Sequence, residues 1–168
     1  GSDDGLLHLS RDGGGSWVEL ADGIPGLPAG TWVSAIQASP FAEGTAFVSF
    51  DGHRSGDMAT YLFRTDDFGA NWTPLAAEGI AGYAHVLKQD PVNPELLYAG
   101  TELGLFISLD GGRHWARFKE NLPPVAVNDL VVHPTEHDLI IATHGRGIYI
   151  IDDLSALRGL TAEIMASE

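Results

Sequence analysis

Three aspartates in this chain sit in nearly the same eight-residue surrounding. They occur in SRDGGGSW (Ser10, Asp12, Gly14, Trp17), TDDFGANW (Thr65, Asp67, Gly69, Trp72) and SLDGGRHW (Ser108, Asp110, Gly112, Trp115). A carboxylate beside glycines can be a catalytic acid, a calcium ligand, or an acceptor for the amides of a turn. Repetition separates these. A catalytic group is needed once per site, whereas this one recurs at spacings of 55 and 43 residues. The pattern assigns Asp12, Asp67 and Asp110 to structure, because an ionised carboxylate can accept several turn amides at about 1.5–3 kcal/mol per charged hydrogen bond. The glycine two positions on permits a positive φ, and the Ser/Thr hydroxyl can tie back to the same turn. The tryptophan would bury its ring between layers while its N–H finds a carbonyl.

A second pool of chemistry lies outside these repeats. Asp51, His53, Arg54 and Asp57 crowd one loop, DGHRSGDMAT at 51–60. Glu102 lies in TELG (101–104), and His144 and Arg146 lie in THGRG (143–147), with His85 and Asp129 just inside neighbouring apolar runs. Hydrolysis of a glycosidic bond needs two carboxyl groups flanking it, which makes Asp51, Asp57 and Glu102 the catalytic candidates, with Asp129 completing the pool. His53, Arg54, His85, Asp129, His144 and Arg146 are the ligand-binding candidates. The three histidines with a carboxylate have the right donors for zinc, but no metal-motif spacing links them, and 51–57 departs from the calcium-loop pattern. No metal and no cofactor is expected. The plainest reading of Asp51, Arg54, Glu102 and Arg146 is an ion-pair network that orders loops.

The elements that must position these groups are short. Each box follows a brief apolar run, LLHLS, YLFRT or GLFIS. Upstream come AIQASP, VLKQDP and LVVHP, each closed by a proline, then TAFVSF, LLYAGT and LIIATH, rich in β-branched and aromatic residues. A degenerate fourth copy, GRGIYIIDD, keeps Asp153 but not the glycine and tryptophan. Each unit reads as four strands, at roughly 84–89, 96–101, 104–109 and 114–119 in the best-defined one, with the box bridging strands three and four. Four-strand units repeating every 40–50 or so residues are the signature of propeller blades.

The three motifs resemble Asp boxes, and the chain is similar to the BNR/Asp-box β-propellers, a group that includes sialidases, xyloglucan-cleaving glycosidases, photosystem assembly factors and sortilin-type Vps10 domains. The wording GTELGLFISLDGGRHW followed by LVVHP and ATHGRGIYIIDD resembles bacterial Vps10/sortilin-like, glycosyl-hydrolase-like repeat proteins most. The resemblance implies an all-β fold of four-stranded antiparallel blades, with the boxes on the face away from the ligand site. It also favours an extracytoplasmic or secreted location. The arginine cluster and tyrosine nucleophile expected of sialidases have no counterpart here.

The expected layout is a partial blade at 5–20, blades at 32–76 and 84–119, a partial blade at 126–152, and a tail at 153–168. That makes about three blades, an incomplete ring, with a short C-terminal helix capped by Asp153 and carrying Leu154, Leu157, Leu160 and Ile164. Closed propellers typically hold four to eight blades, so self-association or missing neighbouring blades are expected. The net charge of −14, from 9 basic and 23 acidic residues, repels nucleic acid and anionic membranes. No apolar run approaches the roughly 20 residues of a membrane helix, and no cysteine offers thiolate chemistry. The expected function is a binding or scaffold module for a protein, peptide or glycan. The alternative is part of a glycoside hydrolase.

Overall fold

The computed structural model describes residues 1–160. Its strands form four antiparallel sheets in chain order. The first holds two short strands, β1 (His8–Leu9) and β2 (Val18–Glu19). The second holds β3 (Trp32–Ala38), β4 (Ala46–Asp51), β5 (Tyr61–Thr65) and β6 (Thr73–Pro74). The third repeats it with β7 (Ala84–Gln89), β8 (Leu97–Thr101), β9 (Gly104–Ser108) and β10 (Ala116–Arg117). The fourth has three strands, β11 (Val127–Val132), β12 (Leu139–Thr143) and β13 (Ile148–Ile151). Every sheet is a meander of neighbouring strands, so the connections alternate between two ends, and the loop after each second strand lies opposite the box.

The sheets stack face to face as blades. β7 packs against both β3 and β11, which makes the first strand of each sheet the inner one. Phe47, Leu62 and Leu75 of one blade meet Leu87, Phe106 and Trp115 of the next, and Tyr98, Leu105 and Ile107 meet Leu130 and Ile141 on its other side. Strands buried on both faces need apolar residues at consecutive positions, which is why β8 (Leu97–Thr101) is buried throughout.

The boxes fold alike. In the third, the Ser108 hydroxyl donates to Asp110 Oδ1 at 2.9 Å and accepts the Gly112 N–H at 2.8 Å, while Oδ1 also accepts the His114 N–H at 3.0 Å. The residue before the tryptophan completes the turn by donating its side chain to Oδ2: Ser16 at 2.7 Å, Asn71 at 2.6 Å and His114 at 2.6 Å. The Ser16 hydroxyl and the other bonds of its turn hold the Asp12 carboxyl at about 2, and the Asn71 amide lowers Asp67. Partial burial opposes the same shift at Asp110, but the His114 bond and its neighbours outweigh it. Gly112 has φ of 93°, and a Cβ there would stand 3.0 Å from Leu75, so the glycine serves both the turn and the blade contact.

Two expectations need correction. Trp115 is 5% exposed and donates its indole N–H to the Leu75 carbonyl at 2.8 Å, but Trp72, 9% exposed, has no acceptor for its N–H. Trp17 is 62% exposed, because no earlier blade stands against its two-stranded sheet. Nor is Asp153 the N-cap. The helix α1 spans Ser155–Gly159 behind Leu154, and Asp153, at φ 53°, accepts the Ser155 N–H at 3.0 Å from one residue further out. Leu154 is buried against the blade interface, and Arg158 grips the buried Asp90 carboxylate at 2.9–3.0 Å. Ile164, expected on the same helix, lies outside the described residues.

Candidate functional site

The end of the blades opposite the boxes gathers six side chains around a cleft of about 500 Å³: His53, Tyr83, His85, Glu102, Asn128 and His144. Three sheets contribute. His53 lies in a short 3-10 turn after β4, Tyr83 just before β7, Glu102 in the tight turn between β8 and β9, and His144 just after β12.

His85 and Asn128 reach the cleft by a local irregularity. The pairing of β7 with β8 passes from Ala84 to Val86, and that of β11 with β12 from Val127 to Asp129. β3 does the same between Val33 and Ala35. Each inner strand therefore carries one extra residue, namely Ser34, His85 or Asn128, at the end away from the boxes. A bulge bends its strand and re-aims a side chain. Ser34 uses this to bond the Ala84 carbonyl at 3.0 Å and Ser49 at 2.9 Å.

Beneath the cleft lies Asp51, the last residue of β4, its side chain wholly buried. Its Oδ1 accepts the His53 N–H at 2.9 Å and stands 2.7 Å from His53 Nδ1. Its Oδ2 has no hydrogen-bond partner and faces His85 Nδ1 at 3.8 Å. On the far side of that ring, the buried Nε2 is also unpartnered, 3.9 Å from Glu102 Oε2. Tyr83 donates its hydroxyl to Glu102 Oε2 at 2.8 Å. The Tyr83 ring stacks on His53 with centroids 4.6 Å apart, and His85 meets it edge-on at 5.1 Å. Burial pushes the His85 imidazole below its ordinary value against the pull of Asp51 and Glu102. Burial, with Glu102 behind it, raises the Tyr83 phenol to about 12. At neutral pH the floor of the cleft is thus a neutral imidazole and a protonated phenol between two carboxyl groups, well suited to hydrogen bonding and aromatic contact.

The structure sorts the candidates from the sequence. His53, His85, Glu102 and His144 meet at the cleft, with Asp51 directly below. Asp57 is turned away, accepting the Ala59 N–H at 3.0 Å and the Tyr61 hydroxyl at 2.7 Å. Asp129 accepts the Leu130 N–H at 2.8 Å. Arg54 lies over the Trp32 ring at 4.5 Å, and Arg146 is exposed at the tip of its turn. Neither arginine forms an ion pair among the described residues, so the expected arginine–carboxylate network is instead a histidine–carboxylate one. Its reason is geometric: Asp51 is enclosed by imidazoles, and the Arg54 guanidinium is spent on an indole. No group of three or more histidine or acidic side chains among the described residues is arranged to hold a metal ion. Tyr83 and Asn128 escaped the sequence reading because no motif marks them. The 43-residue offset that relates two of the boxes also carries His85 onto Asn128, and would have pointed there.

No family model matches the chain, and no curated protein matches it. Solved structures do. The GH74 xyloglucanase from Xanthomonas campestris superposes with a TM-score of 0.69 at 20% identity, over 91% of this chain and 24% of that one. The GH74 enzyme of Niastella koreensis gives 0.64 at 18% identity, over 90% and 26%. YCF48 bound to D1 peptide gives 0.58 at 21% identity, over 88% and 44%. This chain therefore spans about a quarter of the two GH74 chains and under half of YCF48. At such identities the likeness shows the fold, a β-propeller of incomplete blade number.

Proposed function

We propose that this chain is a binding or scaffold module of the sortilin-like Asp-box kind, engaging a protein, peptide or glycan through the cleft opposite its boxes. One observation carries the reading: side chains from three successive blades converge on a single cleft, while the box aspartates are spent on bonds within their own turns. Binding groups held by loops on a rigid scaffold are the usual way such folds acquire function. A propeller of the same fold, YCF48, was solved bound to a peptide, which supports a peptide among the ligand classes. Peptide and glycan arrays probed with the native chain and with His144→Ala test this. Signals lost in the variant, at unchanged melting temperature, are the expected outcome; signals indifferent to His144 and Tyr83 substitution would place recognition elsewhere.

A second reading, part of a glycoside hydrolase, is favoured by two carboxyl groups, Asp51 and Glu102, standing within 4 Å of opposite sides of His85. It accords with the GH74 likeness. Turnover of xyloglucan, cellulose or sialosides that vanishes in Asp51→Asn would put it first.

The open blade faces belong to the same proposal. Val131, Ile148 and Ile150 are exposed on the last sheet, and Trp17 and Val18 on the first, whereas the corresponding faces of the interior sheets are covered by a neighbour. We read 1–152 as blades whose ends receive further blades, from a second copy or from flanking sequence, with 153–168 as a C-terminal helix and tail whose start is docked on the blades through Leu154 and Arg158. Light scattering across a concentration series would read a rising mass if copies associate and a constant monomer if they do not.

A further inference from the structure

Building on the cleft as a binding site, we propose that its ligand is a cationic side chain, a lysine or arginine of a peptide or protein partner. The charge inventory points there first. Among the cleft-lining residues there is no lysine or arginine, while Glu102 is one wall and Asp51 lies directly beneath. Arg54, the basic residue next to His53, is withdrawn onto Trp32. The chain as a whole carries −14, which draws cations toward it.

Two further observations go beyond that count. The Asp51 carboxylate is entirely buried, and its Oδ2, facing the His85 wall, has no donor of its own. Buried carboxylate oxygens are normally satisfied, so this one marks a place where a positive charge is favoured. The second is the aromatic surface. Tyr83 and His53, stacked on each other with His85 set across them, form an aromatic wall of the cleft, a surface to which an ammonium or guanidinium group is attracted. Neutral His85 separates the two carboxyl groups without neutralising either. A cation seated against Tyr83 would pair with Glu102 and feel Asp51 through the imidazole, and Asn128 supplies a further acceptor on the same rim.

The test measures tetralysine, tetraglutamate and cellotetraose by titration calorimetry at low salt against the whole chain and three variants. Glu102→Gln keeps the shape and removes the charge. Tyr83→Leu removes the π-face. Glu43→Gln removes an exposed charge in the β3–β4 turn, at the opposite end of the blade. Tetralysine is expected to bind, at least ten-fold more weakly with Glu102→Gln and with Tyr83→Leu, and unchanged with Glu43→Gln. Equal weakening by Glu102→Gln and Glu43→Gln, or by neither, would reduce the attraction to bulk charge and overturn the proposal. Preference for tetraglutamate or cellotetraose, lost with Tyr83→Leu, would overturn the cation assignment while leaving the cleft as the binding site. Binding of none of the three overturns it as well, and the arrays then decide separately whether the cleft binds anything. Circular dichroism of each variant guards against misfolding; if Tyr83→Leu fails to fold, Glu102→Gln alone decides.

Discussion

The two ends of each blade solve the same electrostatic problem in opposite ways. At the box end, every aspartate receives a hydroxyl, turn amides and a side-chain donor, and the arrangement is repeated three times with little change. At the cleft end, each blade differs, and Asp51 Oδ2 and His85 Nε2 are left without partners. Closed hydrogen bonding stabilises a turn and gives a ligand nothing to take. Unspent polar groups cost stability, and natural proteins tolerate that cost where a site needs them. Stability should therefore concentrate at one end and recognition at the other.

That contrast can be broken in several ways. Trp115→Ala, which empties the indole site between two blades and frees the Leu75 carbonyl, is expected to cost about 3–5 kcal/mol in urea unfolding. Asp110→Ala should cost about 1–3 kcal/mol, since it strands donors from Ser108 and His114, while ligand affinity of the folded protein holds. Loss of affinity at full stability would invert the assignment of the two ends. Acid supplies a graded version. The box carboxyls have folded values below their unfolded ones, with Asp12 near 2. Their contribution is present above about pH 4 and drains away as the pH falls from there toward 2. Thermal melts across that window should decline more steeply for the native chain than for one with all three box aspartates changed to asparagine. At the cleft, His144→Ala should move stability by no more than about 0.5 kcal/mol and abolish array binding. The smallest effect sharpens the rule from within the box end itself: Trp17→Ala, at an exposed indole, should also stay within about 0.5 kcal/mol.

How much of this was legible depended on repetition. Strands expected near 84–89, 96–101 and 104–109 occur at Ala84–Gln89, Leu97–Thr101 and Gly104–Ser108, because boxes and closing prolines recur and fix the register between them. The fourth strand shrinks to Ala116–Arg117. Features that depend on a neighbour were not legible. Trp17 carries the same motif as Trp115, yet only one has a blade to bury against. The donor before each tryptophan also passed unnoticed, because serine, asparagine and histidine share a hydrogen-bonding role but no resemblance as letters. The cleft was half visible: its loops could be placed opposite the boxes, whereas the pairing of Asp51 with His53 and the stacking of Tyr83 depend on how the chain doubles back after β4.

The extra residue on each inner strand has a consequence for how such a site changes over time. Ser34, His85 and Asn128 stand outside the in-and-out alternation that binds every other residue of their strands to a core-facing or neighbour-facing duty. A substitution there leaves the ladder's register where it was, although Ser34 spends its hydroxyl on the Ala84 carbonyl of the next blade. Serine, histidine and asparagine already occupy this one slot in three copies of the same framework, and two of the three line the cleft, so the slot is a place where the chemistry facing a ligand can differ from blade to blade while the strand pairing stays the same.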